Sequence, residues 1–409
     1  MNTLNFCIRI LGKYRRPDLS EQLFHWMRLK GIANEHSLIK LFEGLEEARC
    51  PPSRAVRAWR NVSRMQCPFT PSEKSTASLL KTFRPSKDLR GASRILREVK
   101  LRKLPLNEYG YNTVIRIAAD LGDVDTAFAL EEELRTSELG SDVRTYSSLM
   151  HAIVASQKWS MTRHVEVLLR SAGLRPDATL CLQLISGYAR CGWPAGAEAV
   201  MDELMEDYGK TQQTKQKPNR SHWNALLYAY ATARQYNGCL MAYQRMVNQV
   251  GIRPDGYTMV ALLKAGKRSQ AGRTAVSFVL SEVEKHKVEM SVELASSAIA
   301  CCRITPYVSQ EEADKSRHLA NDVWSLMQAA NVKPNRIAYN TLLAARADAG
   351  DTTGVQELYD ALEEDDTVIP DRSTFSTMMR AFENNDFPAY ERYADLASTW
   401  TTLHGDDTQ

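Results

Sequence analysis

The chain has 409 residues, 44% apolar and 25% charged, which excludes wholesale disorder. Twenty Gly and 15 Pro exclude a collagenous or low-complexity chain, and the longest apolar stretches, such as Met259 to Leu263, fall far below the ~20 residues of a membrane helix. The net charge of +3 hides a gradient, from 22 Lys/Arg against 9 Asp/Glu over residues 1–107 to 5 against 15 over the last 74, so the chain is not a uniformly basic nucleic-acid binder.

In chain order, a phrase of one aromatic or apolar residue, Asn or Ser, a small residue and two apolar ones recurs. It reads Tyr111-Asn112-Thr113-Val114-Ile115, Tyr146-Ser147-Ser148-Leu149-Met150, Trp223-Asn224-Ala225-Leu226-Leu227, Tyr339-Asn340-Thr341-Leu342-Leu343 and Phe375-Ser376-Thr377-Met378-Met379. A closing Pro-Asp or Pro-Asn recurs at Pro176, Pro218, Pro254, Pro334 and Pro370. Together they place repeat starts at 1, 36, 73, 108, 143, 178, 220, 256, 292, 336 and 372, a period of about 35 residues.

Each unit reads as two helices. From Glu108, the stripe Tyr111, Val114, Ile115 and Ala118 marks the first, Gly122-Asp123 the turn, and Val124, Ala127, Leu130 and Leu134 the second. The closing Pro stops one helix and the residue after it starts the next. Such pairs cannot bury their own stripes, so neighbours stack. The expected fold is an all-α superhelical solenoid of about eleven helix-turn-helix repeats. Residues 1–107 form divergent basic repeats that lack the closing Pro-Asp, and residues 108–371 form clear ones. Insertions fall near 208–217, read as an exposed loop, and near 305–316, between two helices of one unit. Residues 372–409 form a capping repeat, with Glu391 and Asp395 at apolar stripe positions, and a short acidic tail. Eight cysteines without a C-x-x-C argue against a disulfide framework or zinc ribbon.

The period and the phrases Tyr-Asn-Thr-Leu-Leu, Val-Lys-Pro-Asn and Ile-Arg-Pro-Asp resemble the pentatricopeptide repeat family, in P-type arrays without a catalytic C-terminal domain. The resemblance implies a right-handed superhelix that acts in a mitochondrion or chloroplast. It also implies binding of single-stranded RNA at about one base per repeat, read by the fifth and last residues of each unit on the inner groove. Carried over, Asn112 with Asp142, Asn224 with Asp255 and Asn340 with Asp371 would each favour uridine. Ser147 with Asp177 would favour guanosine and Ser296 with Asn335 adenosine, giving 5′-U-G-N-U-N-A-U-3′. Leu182 and Val260 hold the fifth position in two central units and cannot read a base by hydrogen bond, and Lys40 and Ala77 hold it in the second and third units. Eight residues beyond the fifth position, Lys13, Arg190 and Arg268 suit phosphate, whereas Asp120 and Asp348 repel it.

Arg54, Arg57, Asn61 and Arg64 share one face of a second helix, and Arg90, Arg94 and Arg97 share one face of the next. In this architecture second helices line the outer side, so the six arginines would form a basic convex patch. An alternative function follows: a structural subunit of a large organellar ribonucleoprotein, such as a ribosome, holding rRNA and proteins.

Catalytic signatures fail. Gly209-Lys210-Thr211 ends like a phosphate loop, but Leu204 stands at the first glycine position. His164-Val165-Glu166 matches the start of a zinc-deaminase motif without its Pro-Cys-x-x-Cys. No enzyme activity, cofactor, metal, small-molecule substrate or membrane insertion is expected. Met1 falls on a repeat start with no Arg- and Ser-rich presequence before it, so the expectation is an N-terminus truncated or processed upstream.

Overall fold

The computed structural model describes residues 2–64, 69, 71–211, 217–303, 309–365, 367–383 and 387–404, and among them there are helices and no strands. The first helices of the units are α1 (Asn2–Lys13), α3 (Glu35–Glu47), α5 (Glu73–Lys81), α7 (Glu108–Asp120), α9 (Val143–Ser156), α11 (Ala178–Cys191), α13 (Arg220–Thr232), α15 (Gly256–Arg268), α17 (Val292–Cys301), α19 (Arg336–Asp348) and α21 (Arg372–Phe382). Their partners are α2 (Pro17–Leu29), α4 (Pro52–Arg64), α6 (Leu89–Leu101), α8 (Val124–Thr136), α10 (Thr162–Ser171), α12 (Pro194–Thr211), α14 (Tyr236–Gln244), α16 (Gly272–His286), α18 (Gln310–Ala329), α20 (Thr352–Glu363) and α22 (Phe387–His404).

The residue that closes a unit caps the next one. Asn34, Ser72, Asn107, Asp142, Asp177, Asn219, Asp255, Ser291, Asn335 and Asp371 each accept from a backbone N–H two or three residues on, which pairs donors that a helix start leaves open. Between α7 and α8, Gly122 takes φ +69°, a left-handed conformation that glycine adopts without strain, and Asp123 then caps α8 through Thr126.

These caps correct the sequence frame in one place. The second unit starts at Glu35, not 36, because Asn34 caps Ser37. Its fifth residue is therefore Ile39, and Lys40 instead pairs with Glu43 at 2.8 Å. The segments at 208–217 and 305–316 fall partly outside the described residues. Of what is described, Tyr208 to Thr211 continue α12, and residues 310–316 are the opening turns of α18.

The chain divides within α11 into two compact units, one up to Tyr188 and one from Ala189 on. In the first, α1, α3, α5, α7 and α9 stack side by side, and α2, α4, α6 and α8 each also pack on the first helix of the next repeat. α13, α15, α17, α19 and α21 form the same row in the second unit. Among the described residues, the backbones of consecutive second helices stay farther apart and meet through side chains, as Arg60 meets Glu98 at 3.1 Å. A tight row beside a splayed row curves toward the tight one, so within each unit the first helices line the concave side. α1 and α3 approach so closely that a Cβ on Gly12 would lie 2.3 Å from the Gly44 Cα.

The core between rows is apolar, with Trp59, Trp223, Tyr146 and Tyr188 fully buried. Four buried tyrosines each tie a helix to a second helix of a neighbouring repeat. Tyr146 donates to Glu131 at 3.2 Å, Tyr230 to Glu198 at 2.7 Å, Tyr243 to Glu282 at 2.7 Å, and Tyr188 to Glu166. Burial, with the Glu131 charge beside it, pushes the Tyr146 phenol up to about 12, so it stays a neutral donor.

Candidate nucleic-acid interface

Three first-helix asparagines share one arrangement. In the first compact unit, Asn112 Nδ2 donates to Asp142 Oδ1 at 3.0 Å, and Asn112 Oδ1 accepts from the Thr145 hydroxyl at 2.7 Å. In the second, Asn224 donates to Asp255 at 3.2 Å and accepts from Thr258 at 2.8 Å. Asn340 donates to Asp371 at 3.0 Å and accepts from Thr374 at 2.7 Å. The aspartate is the cap of the next first helix, and the threonine is its third residue, in a capping box with that aspartate. The amide orientation is unambiguous, because flipping it would set the carbonyl oxygen against the carboxylate. One Nδ2–H of each half-buried asparagine is left over, and it is a donor.

Burial alone would raise the Asp371 carboxyl. The Thr374 N–H, the Asn340 amide and the Arg336 guanidinium outweigh it and hold the group below the ordinary carboxylate range. Asp255 is lowered in the same way by Thr258, Asn224 and Arg220. Both carboxylates are therefore charged acceptors at neutral pH.

The other two expected pairs differ. Ser147 donates to Gln183 at 3.0 Å, while Asp177 caps Leu180 at 2.8 Å, and no bond joins them. The Ser296 hydroxyl is buried without a partner, and Asn335 caps Ala338. Burial of that hydroxyl keeps it from the surface where a base would lie. Asn5 accepts from Ser37 at 2.7 Å but is itself buried.

The sequence reading passed over the exposed side chains beside these asparagines. Tyr109 and Ile337 lie one turn before Asn112 and Asn340, and Tyr257 lies one turn before Val260; all three are exposed. A solvent-facing aromatic or apolar surface one turn from a hydrogen-bonding amide suits stacking of a base. The signal was an apolar residue in the second position of a unit, outside the core stripe.

Charge on this face is also better balanced than the sequence implied. Asp348 is bracketed by Arg303 at 2.7 Å and Arg380 at 3.1 Å, and Asp120 by Arg116 at 3.1 Å and His151 at 3.0 Å. A carboxylate held between two guanidinium groups leaves a net cation, so Asp348 does not make its site repel phosphate. In the second compact unit a cleft of about 600 Å³ opens over Asn340 and Asp371, with Lys267, Arg303, Arg336 and Arg380 on its walls. Lys13, Arg190 and Arg268 are exposed on first helices as expected.

On the outer face, the arginine patch is smaller than six. Arg54 is held by Asp18 and Glu21, and these bonds raise its pKa further. The side chain of Arg64 lies outside the described residues. Arg57, Arg90, Arg94 and Arg97 are exposed and have no carboxylate partner among the described residues. A cleft of about 450 Å³ between α4 and α6 is lined by Arg57, Arg60, Asn61 and Arg94.

Among the described residues, no group of three or more His, Cys, Asp or Glu side chains could hold a metal ion, and no helix is long and apolar enough to cross a membrane. His164 is exposed, its ring 5.3 Å from that of Phe128.

Stacked helix pairs with a repeated polar relay on the concave row define an all-α helical-repeat protein. The comparisons name the kind of repeat. Family models match over residues 75–217 (pentacotripeptide-repeat region of PRORP), 221–249 (PPR repeat) and 314–385 (pentatricopeptide repeat domain). A pentatricopeptide repeat-containing protein of Arabidopsis thaliana is 25% identical over 281 residues, 68% of this chain and 42% of that protein. A second from Arabidopsis thaliana is 27% identical over 289 residues, 67% of this chain and 83% of its own length. The chain thus spans under half of one relative and most of another. Among solved structures, the maize pentatricopeptide repeat protein PPR10 is similar at 18% identity and a TM-score of 0.49, over 99% of this chain and 64% of its own. The chain belongs to the pentatricopeptide repeat family.

Proposed function

We propose that this chain binds single-stranded RNA on its first-helix face and reads uridine opposite Asn112, Asn224 and Asn340. The observation that carries this is the cleft over Asn340. There an amide donor of fixed orientation, an ionised Asp371, an apolar Ile337 surface and four cations lie together. Bases stack and hydrogen-bond in such a setting while guanidinium groups take the phosphates. Organellar RNA stability, processing or translation is the role this supports, and some Arabidopsis relatives carry chloroplastic or mitochondrial in their names. Selection from a random single-stranded RNA pool tests it. Uridine should be enriched at three positions with the spacing of 5′-U-N-N-U-N-N-U-3′. A flat profile, or binding only to duplex, contradicts it.

A second reading rests on Arg57, Arg90, Arg94 and Arg97, exposed cations with no carboxylate partner among the described residues. They support docking of the outer face on folded RNA backbone, as in a subunit of an organellar ribosome. Arg94→Glu with Arg97→Glu should then release the protein from ribosome-sized particles on a gradient without changing its affinity for single-stranded RNA. Unchanged sedimentation of the variant removes this reading.

A further inference from the structure

The relay contains a residue for which base reading alone gives no reason. Ten junctions separate the eleven repeats, and the third residue of the helix after each is Ser37, Ser75, Gly110, Thr145, Leu180, His222, Thr258, Leu294, Ala338 or Thr374. Threonine occurs there three times, and each time the preceding repeat carries Asn112, Asn224 or Asn340 at its fifth position; the fourth asparagine, buried Asn5, is followed by Ser37, whose hydroxyl makes the same bond at 2.7 Å. Repeats with Ala77, Ser147, Leu182, Val260 or Ser296 are followed by something else. A helix cap needs no threonine in that place, since Asp177 and Asn335 cap over Leu180 and Ala338.

Hydrogen-bond valence says what the threonine does. Asp142 Oδ1 already accepts from Asn112 Nδ2 at 3.0 Å and from the Thr145 N–H at 2.8 Å, which fills its two lone pairs. The single Thr145 hydroxyl proton therefore goes to Asn112 Oδ1, 2.7 Å away. Asp255 and Asp371 are filled in the same way, leaving Thr258 and Thr374 to bond Asn224 and Asn340. The asparagine oxygen is thus held by the following repeat, and the amide can offer RNA only its remaining N–H.

We propose that Thr145, Thr258 and Thr374 are positioning residues that set uridine over cytidine at the three asparagine repeats. A donor complements the O4 acceptor of uridine and opposes the N4 amino group of cytidine, which is itself a donor. Without the hydroxyl, the amide oxygen has no partner and only the aspartate bond still holds the amide, so turning it outward to accept from cytidine costs less than in the wild type. The inference rests on the groove reading above and adds to it a residue that touches no base.

The test uses the full chain and two labelled single-stranded RNAs that differ only in having U or C at the three positions. The wild type should prefer the U form by about tenfold or more. The triple Thr→Val variant should fall to within about twofold, mainly by gaining affinity for the C form, and the triple Thr→Ser variant should keep the wild-type ratio. A Val variant with native helix content and an unchanged ratio overturns the inference alone. A wild type that binds neither RNA, or binds both equally, overturns the groove reading with it. If the triple Val variant does not fold, Thr374→Val with only the position facing Asn340 varied gives the same comparison. An unchanged ratio there is equally decisive.

Discussion

Replacing Arg303, Arg336 and Arg380 together by Gln is expected to weaken single-stranded RNA binding by about a hundredfold near 0.1 M salt. The slope of log K against log salt should fall by about 2, since each single-strand phosphate contact contributes roughly 0.7. All three side chains line the cleft over Asn340. Two of them flank Asp348, which in the variant becomes an unpaired carboxylate facing the RNA. The third, Arg336, lies 3.1 Å from Asp371 and also supports that carboxylate's charge. Electrostatic loss and new repulsion therefore act in one direction. Fluorescence anisotropy across a salt series reads both quantities. Gln at Arg94 and Arg97, on the outer face, is the matched control and should leave slope and affinity unchanged. A triple variant whose affinity and slope match the wild type would contradict the placement of RNA in this cleft.

Trp223→Ala is expected to be the most damaging single core change, at about 3–5 kcal/mol. Trp223 stands in the fourth position of the unit that starts at Arg220 and is fully buried, with the Arg245 guanidinium 5.7 Å from its ring. Its indole N–H is buried without a partner, which costs part of what the ring contributes. Trp223→Phe deletes that donor and most of the ring's excess volume at once, so it should cost far less than the alanine. In a stacked array each repeat leans on its neighbours, and the loss should appear first as local opening. Hydrogen exchange should speed up in α13, α14 and α15 while α1 to α7 keep their protection, with a lower midpoint in urea. Uniform exchange, or equal effects of Ala and Phe, would contradict this picture of the core.

Most of the fold was legible because the period is carried by residues with local physical duties. Helices start at Glu73, Glu108, Val143, Ala178, Arg220, Gly256, Val292, Arg336 and Arg372, where the repeated phrases place them. The frame slipped by one residue at Glu35, where the Asn34–Ser37 capping box fixes the start. The site was legible in part. Asn112, Asn224 and Asn340 stand out by position, but pairing across units does not show in one helix's stripe. Asp18 and Arg54 are 36 residues apart, so searching for opposite charges at the repeat period would have found that pair, whereas Arg303 and Asp348 lie 45 apart and escape such a search. Burial of the Ser296 hydroxyl has no such signal, because α17 shows the same small and apolar pattern either way.

Crosslinking the full chain to a U-containing single-stranded RNA, with the attached peptides identified by mass spectrometry, tests the central claim most directly. The account predicts crosslinks at Tyr109, Tyr257 and the α19 segment around Ile337 and Asn340. Crosslinks confined to α4 and α6, around Arg57, Arg94 and Arg97, would contradict it.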